Sequence, residues 1–231
     1  MNSTQKTLQF IYIILAFTML IIEIQNLSYL RYIIKPALMP ILILFLVVNN
    51  KINWKINLAV IALVFSWMGD TFLLFNNPSY FMYGLLAFLI THICYIIIFL
   101  KDIKFNKLLK YKFNFVFVLI ILTYIIVFYL SISRNLNSMK TPVLAYMGVI
   151  SCMVISAFFR KYFVNKHSFL WILSGAVFFI ISDSSLAIIK FVNTFPGDNF
   201  LVIITYMIAQ LCIIKGIILD YSNEILLSIF P

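Results

Sequence analysis

The sequence predicts an all-α polytopic membrane protein, a bundle of eight transmembrane helices with both termini cytoplasmic, and three observations carry that prediction. Of 231 residues, 64% are hydrophobic and 10% charged, with a mean hydropathy of +1.08, which leaves too little polar surface to coat a water-soluble globule. Apolar runs of bilayer length recur along the whole chain. Short polar or proline-bearing breaks separate them, and the longest, from Lys101 to Lys112, is too short for a soluble domain, so residues 1–231 read as a single transmembrane domain.

Taken in order, the spans fall at 7–25, 33–48, 57–75, 79–100, 113–131, 142–159, 168–189 and 199–219. The first begins with Lys6 and the apolar run Leu8 to Ile22, which resembles a signal peptide. No small-x-small cleavage site follows, only Glu23-Ile24-Gln25-Asn26, so it counts as a span. In the second span Pro36 and Pro40 lie in the first turns, where proline is tolerated, and they bias Lys35 toward an extended backbone at a mouth. Pro78, Pro142 and Pro196 punctuate later breaks.

Basic residues set the orientation. Twelve of the 17 (Lys6, Lys51, Lys55, Lys101, Lys104, Lys107, Lys110, Lys112, Arg160, Lys161, Lys166 and Lys215) fall on the side that holds both termini. The positive-inside rule makes that side cytoplasmic, with the loop from Lys101 to Lys112 against anionic headgroups. The net charge of +10 therefore needs no nucleic acid as a partner. Cys94, Cys152 and Cys212 are odd in number, lack CxxC spacing and lie in apolar segments, so they read as packing residues.

Candidate chemistry starts from Asp70 and Asp183. Each lies inside an apolar span, where an unpaired carboxylate is costly, and each follows a small residue (Gly69, Ser182) and precedes a leucine by three (Leu73, Leu186). Both spans run in the same direction and place the two carboxylates at matching depth, as though two halves feed one site. Glu23 and Lys35 belong to the same half of the membrane, although both also read as snorkelling side chains. In the fourth span Gly84, Phe88, His92, Tyr95 and Phe99 form one helical stripe. Tyr146, Tyr206 and Gln210 need partners inside the bundle, whether interhelical or ligand. His92 makes a poor zinc site, because the other histidine, His167, lies in a loop, and neither metal nor cofactor is expected.

Lys35-Pro36, Gly69-Asp70, the run GLLAFLITHICYIIIF with His92 and Tyr95, GAVFFIISDSSLAI around Asp183, and Tyr206 with Ala209-Gln210 together resemble the YhhN-like lysoplasmalogenases over nearly the whole chain. The resemblance implies a membrane ether hydrolase that cleaves the vinyl ether of lysoplasmalogens to a fatty aldehyde and a glycerophospho-ethanolamine or -choline. On that reading Asp70 and Asp183 are the acid/base pair, because two close carboxylates resist double ionisation. Glu23, Lys35, His92, Tyr95, Tyr146, Ser182, Tyr206 and Gln210 would line the substrate, with Lys35 at the phosphate. The expected partners are a lysophospholipid, the bilayer and a second copy of the chain as a homodimer. The Ile, Asn and Lys bias points to a bacterial inner membrane.

A proton- or lipid-coupled carrier, or a lipid-binding protein, also uses intramembrane carboxylates. Six glycines and little mid-span proline weigh against a carrier built on broken helices.

Overall fold

The computed structural model describes residues 3–48, 50, 53–75, 77–104, 106 and 115–229, with side chains described as far as residue 220. Eight long helices follow one another: α1 (Ser3–Ile24), α2 (Ser28–Val47), α3 (Trp54–Phe72), α4 (Pro78–Lys101), α5 (Phe115–Ile132), α6 (Lys140–Phe159), α7 (Lys166–Phe191) and α8 (Asp198–Ile229). All eight are long and apolar enough to cross a membrane. Phe10, Phe17, Phe115, Leu119 and Leu130 turn outward and are more than half exposed, a surface that suits lipid and not water. The chain is a multi-pass integral membrane protein.

Local chemistry sets the helix ends. Asn53, Asn77 and Asn165 cap α3, α4 and α7, their side chains accepting from the backbone N–H of Ile56 (2.8 Å), Ser79 (2.9 Å) and His167 (2.7 Å). Between α1 and α2, Asn26 adopts φ 54°, and the Leu27 N–H reaches the Ile22 carbonyl at 3.0 Å, closing a left-handed cap that asparagine tolerates. That tight cap lets α2 begin at Ser28, five residues earlier than the sequence predicts. Pro36 and Pro40 therefore lie inside the helix and not in its first turns, and their missing N–H groups leave the carbonyls of Tyr32 and Pro36 without helical donors. Lys35 is helical and 8% exposed.

Seven helices close a ring in the order α1, α2, α3, α4, α6, α7, α8 and back to α1, while α5 packs outside it against α6. The most extensive pairing joins α7 and α8. A Cβ at Gly216 would lie 2.5 Å from Ile172 Cγ1, and one at Gly175 would lie 2.8 Å from the Ala209 carbonyl, so glycine permits this close approach. Tyr12 donates to the Met207 carbonyl at 2.9 Å and ties α1 to α8.

At the end of the ring that holds the start of α1, four charges are buried together. Lys55 Nζ lies 2.8 Å from Asp102 Oδ1 and 2.6 Å from Asp220 Oδ2. Arg160 Nε meets Asp102 Oδ2 at 2.7 Å, and its Nη2 lies 3.1 Å from Ser168 Oγ. The sequence reading places Lys55 and Arg160 in loops as orientation charges. The structure corrects this: they are 2% and 0% exposed, neutralised by two aspartates, and they join α3, α6, α8 and the end of α4. Lys51, Lys107, Lys110 and Lys112 lie outside the described residues. Cys94 and Cys212 are buried as expected, whereas Cys152 faces outward.

Candidate functional site

The opposite end of the ring holds the chemistry-bearing groups. Gly69 packs directly beneath the Phe88 ring, where a Cβ would lie 2.7 Å from a ring carbon, so α3 and α4 draw together and the next residue, Asp70, faces the interior. Asp70 is engaged on both oxygens. Tyr206 of α8 donates its hydroxyl to Oδ2 at 2.6 Å, and Lys35 Nζ of α2 lies 3.7 Å from Oδ1.

Asp183 on α7 is held in a parallel way by different helices. The Tyr146 hydroxyl of α6 donates to its Oδ2 at 2.5 Å, and His92 Nε2 of α4 lies 3.2 Å from the same oxygen and 2.9 Å from the Tyr146 hydroxyl. With the Tyr146 proton committed to Asp183, the network assigns a hydrogen to His92 Nε2, which bridges both oxygens. His92 Nδ1 is then a buried nitrogen without a partner among the described residues. Both bonds fall on Oδ2, and no donor among the described residues reaches Oδ1. The Asp183 side chain is 15% exposed, against 3% for Asp70.

Phe179 separates and supports the two sets. Its ring meets His92 edge-on at 4.6 Å and Tyr206 edge-on at 5.6 Å. Because the buried Phe179 ring packs against both, it limits how far His92 and Tyr206 can turn away from their carboxylates.

Two hollows meet at Asp183. A polar cavity of about 580 Å³ is walled by Arg31, Lys35, Asp70, Ser182, Asp183, Lys190, Asn199 and Tyr206, among others. Beside it runs a narrow apolar crevice of about 50 Å³, lined by Leu85, Tyr124, Ile125, Phe128, Val143, Met147, Ile150 and Ala187, with Tyr146 and Asp183 at its polar end. Tyr124 of the outlying helix α5 covers the crevice, its hydroxyl 2.6 Å from Ser184 Oγ. Asp183 thus stands on the border between a charged chamber and a hydrocarbon one.

Of the expected substrate-lining residues, Lys35, Ser182 and Tyr206 line the polar cavity and Tyr146 the apolar crevice, whereas His92 stands behind Asp183. Ser182 Oγ donates to the Val202 carbonyl at 2.9 Å. Tyr95 and Gln210 lie elsewhere. Tyr95 donates to Gln210 Oε1 at 2.7 Å, Gln210 Nε2 donates to Ser66 Oγ at 2.8 Å, and the string continues to Thr91, a buried tie among α3, α4 and α8. Glu23 does not line the cavity, and its Oε1 lies 3.1 Å from Arg31 Nε. The sequence reading missed Arg31, Lys190 and the crevice. Helical spacing held the signal for both cations, since Arg31 precedes Lys35 by one turn and Lys190 follows Asp183 by two. Among the described residues, no three His, Cys, Asp or Glu side chains converge as a metal-binding group.

A closed ring of membrane-spanning helices with two tyrosine-bound aspartates and a charged chamber sunk into one end defines the class: a polytopic membrane protein with a polar intramembrane site. The family comparison is specific: the YhhN family model matches residues 30–217, a stretch that contains both aspartates and every side chain that holds them. The chain belongs to the YhhN family. It is 30% identical over 158 residues to lysoplasmalogenase TMEM86A of Bos taurus and 29% identical over 154 residues to lysoplasmalogenase TMEM86A of Homo sapiens. Each match covers 66% of this chain and 62% of the relative's own length. No solved structure matches the chain.

Proposed function

We propose that this protein is a lysoplasmalogenase-like hydrolase that cleaves the vinyl ether of a lysoplasmalogen to a fatty aldehyde and a glycerophospho-ethanolamine or -choline. The observation that carries the reading is the position of Asp183, with one bare oxygen at the border of a polar cavity and an apolar crevice. A lysolipid changes from headgroup to hydrocarbon at the same point, and its vinyl ether lies there. The names of the relatives are consistent with this assignment.

On this reading Asp183 Oδ1 carries the catalytic proton and Oδ2 is its carbonyl oxygen. Transfer of that proton to the β-carbon of the vinyl ether leaves an oxocarbenium ion and a carboxylate, and the Tyr146 and His92 donors already aimed at Oδ2 stabilise the new negative charge. Water from the polar cavity adds to the cationic carbon and returns a proton to Asp183. The resulting hemiacetal moves its hydroxyl proton to the glycerol oxygen, the carbon–oxygen bond breaks, and aldehyde and alcohol separate. Asp70, fixed by Lys35 and Tyr206, supplies a carboxylate facing the cation from across the cavity.

The excess of Lys and Arg in the loops at the end that holds the start of α1 supports a cytoplasmic position for that end, which puts the mouth of the cavity at the opposite face.

The deciding experiment supplies purified protein with a lysoplasmalogen and with its saturated alkyl-ether counterpart and measures aldehyde by mass spectrometry. Aldehyde from the vinyl ether alone is the expected result. Absence of aldehyde from both, or an Asp183→Asn protein that still releases it at the wild-type rate, rules the mechanism out.

A further inference from the structure

The polar cavity carries more positive charge than the proposed chemistry uses. Lys35 is committed to Asp70. Arg31, one turn nearer the start of α2, is paired with Glu23 at its Nε, 3.1 Å from Oε1, in a geometry not aligned as a hydrogen bond. The planar fork of its two terminal nitrogens is left to the cavity that Arg31 lines. Lys190 stands on the facing wall. Its ammonium lies 5.0 Å from the centroid of the Phe81 ring, and no carboxylate among the described residues pairs with it.

Helical geometry fixes where an anion between these two side chains would sit. Lys190 shares a face of α7 with Asp183 and lies about 10 Å further along the axis, while Arg31 lies about 6 Å beyond Lys35 on α2. Both displacements run toward the mouth. Lys190 is therefore set about 10 Å outward of Asp183 along the cavity wall, comparable with the extended span from a vinyl ether carbon through glycerol to the phosphate.

We infer that Arg31 and Lys190 seat the phosphodiester of the lipid headgroup and make the cavity selective for phosphate-bearing over neutral single-chain lipids. The inference rests on the proposed function for the bond that is cut, and on the cavity alone for what is bound. A guanidinium fork with an ammonium opposite suits a phosphate that presents two free oxygens: Arg31 can keep its Nε on Glu23 while its terminal nitrogens turn to the anion, and Lys190 has only the Phe81 ring to leave. Lys35, which the sequence reading places at the phosphate, would have to leave Asp70.

The test uses binding, so that it stands apart from turnover. Full-length protein in nanodiscs is titrated with a non-cleavable 1-O-alkyl-glycerophosphocholine, with 1-O-alkylglycerol, which lacks the phosphate, and with inorganic phosphate. Wild type is expected to hold the phospholipid at least about tenfold more tightly than the alkylglycerol. Arg31→Gln and Lys190→Gln should each remove most of that preference and leave alkylglycerol affinity unchanged, which also shows that the variants are folded. Equal affinity of wild type for the two lipids, or a preference that survives in both variants, overturns the seat. Saturation by inorganic phosphate at the lipid's working concentrations, lost in the same variants, overturns the lipid assignment. Should lysoplasmalogen yield no aldehyde while phosphate-selective binding persists, the hydrolase reading fails and the seat stands.

Discussion

Asp70 and Asp183 are held alike and left unequally open. Each carboxylate takes a tyrosine hydroxyl on Oδ2, yet Asp70 also meets Lys35 through Oδ1, whereas no donor among the described residues reaches Oδ1 of Asp183, a residue that lines the cavity. The difference separates the partners that the resemblance treats as a matched pair. Among the described residues, one carboxylate is engaged at both oxygens and the other at one.

Asp183→Asn is expected to lower turnover of a lysoplasmalogen by about 10²–10⁴-fold, the usual worth of general acid catalysis, with the detergent-solubilised protein eluting unchanged from a sizing column. Tyr146→Phe, which removes one donor from Oδ2, should lose less, by about one order of magnitude, and mainly in kcat. Unchanged kcat in Tyr146→Phe would show that Oδ2 needs no such donor.

Lys35 and Asp70 form a buried pair, so removing one partner strands the other. Asp70→Asn should destabilise by about 3–5 kcal/mol and lower the thermal midpoint in detergent, while Lys35→Met combined with Asp70→Asn should recover much of that loss. The double variant regains stability and not activity. Additive losses in the cycle would mean that the two side chains are not coupled.

Chain length should be read by the crevice. Ala187→Phe fills its lining with a ring, and the expected outcome is a kcat/KM for long-chain substrates that falls at least about tenfold relative to short-chain ones. Aldehyde profiles from a mixed-chain substrate check this directly. A uniform fall across chain lengths would place the hydrocarbon elsewhere.

The buried charges at the far end make a structural prediction. Arg160→Leu leaves Asp102 and Asp220 facing Lys55 alone and should cost about 3–5 kcal/mol of stability, with KM unchanged in whatever protein folds. Denaturation in detergent, together with kinetics on the folded fraction, separates the two effects.

Much of this was legible in the residues, for identifiable reasons. Hydropathy alone marks the eight helices, because bilayer thickness sets a length that few other structures need. Asp70, Asp183 and the stripe from Gly84 to Phe99 are visible because a charge or a period stands out against an apolar background. Polarity in a span says that a side chain turns inward and not what it meets. Tyr95 and Gln210 look the same in sequence as Tyr206 and Tyr146, yet the first two are bonded to each other and the last two to carboxylates. Lys55 and Asp220 are 165 residues apart, and nothing local marks either as a partner of the other. Arg31 and Lys190 lie near span ends, where cations are expected to reach for water, so their shared cavity is hidden from a linear reading.

The border at Asp183 has a further effect once a bond is broken there. Under the proposed reaction, scission at this boundary would send the two halves of the amphiphile into different phases, the glycerophospho fragment to the polar cavity and the aldehyde to the apolar crevice. On the proposed reaction the fragments would part by partition, each leaving the site by its own route.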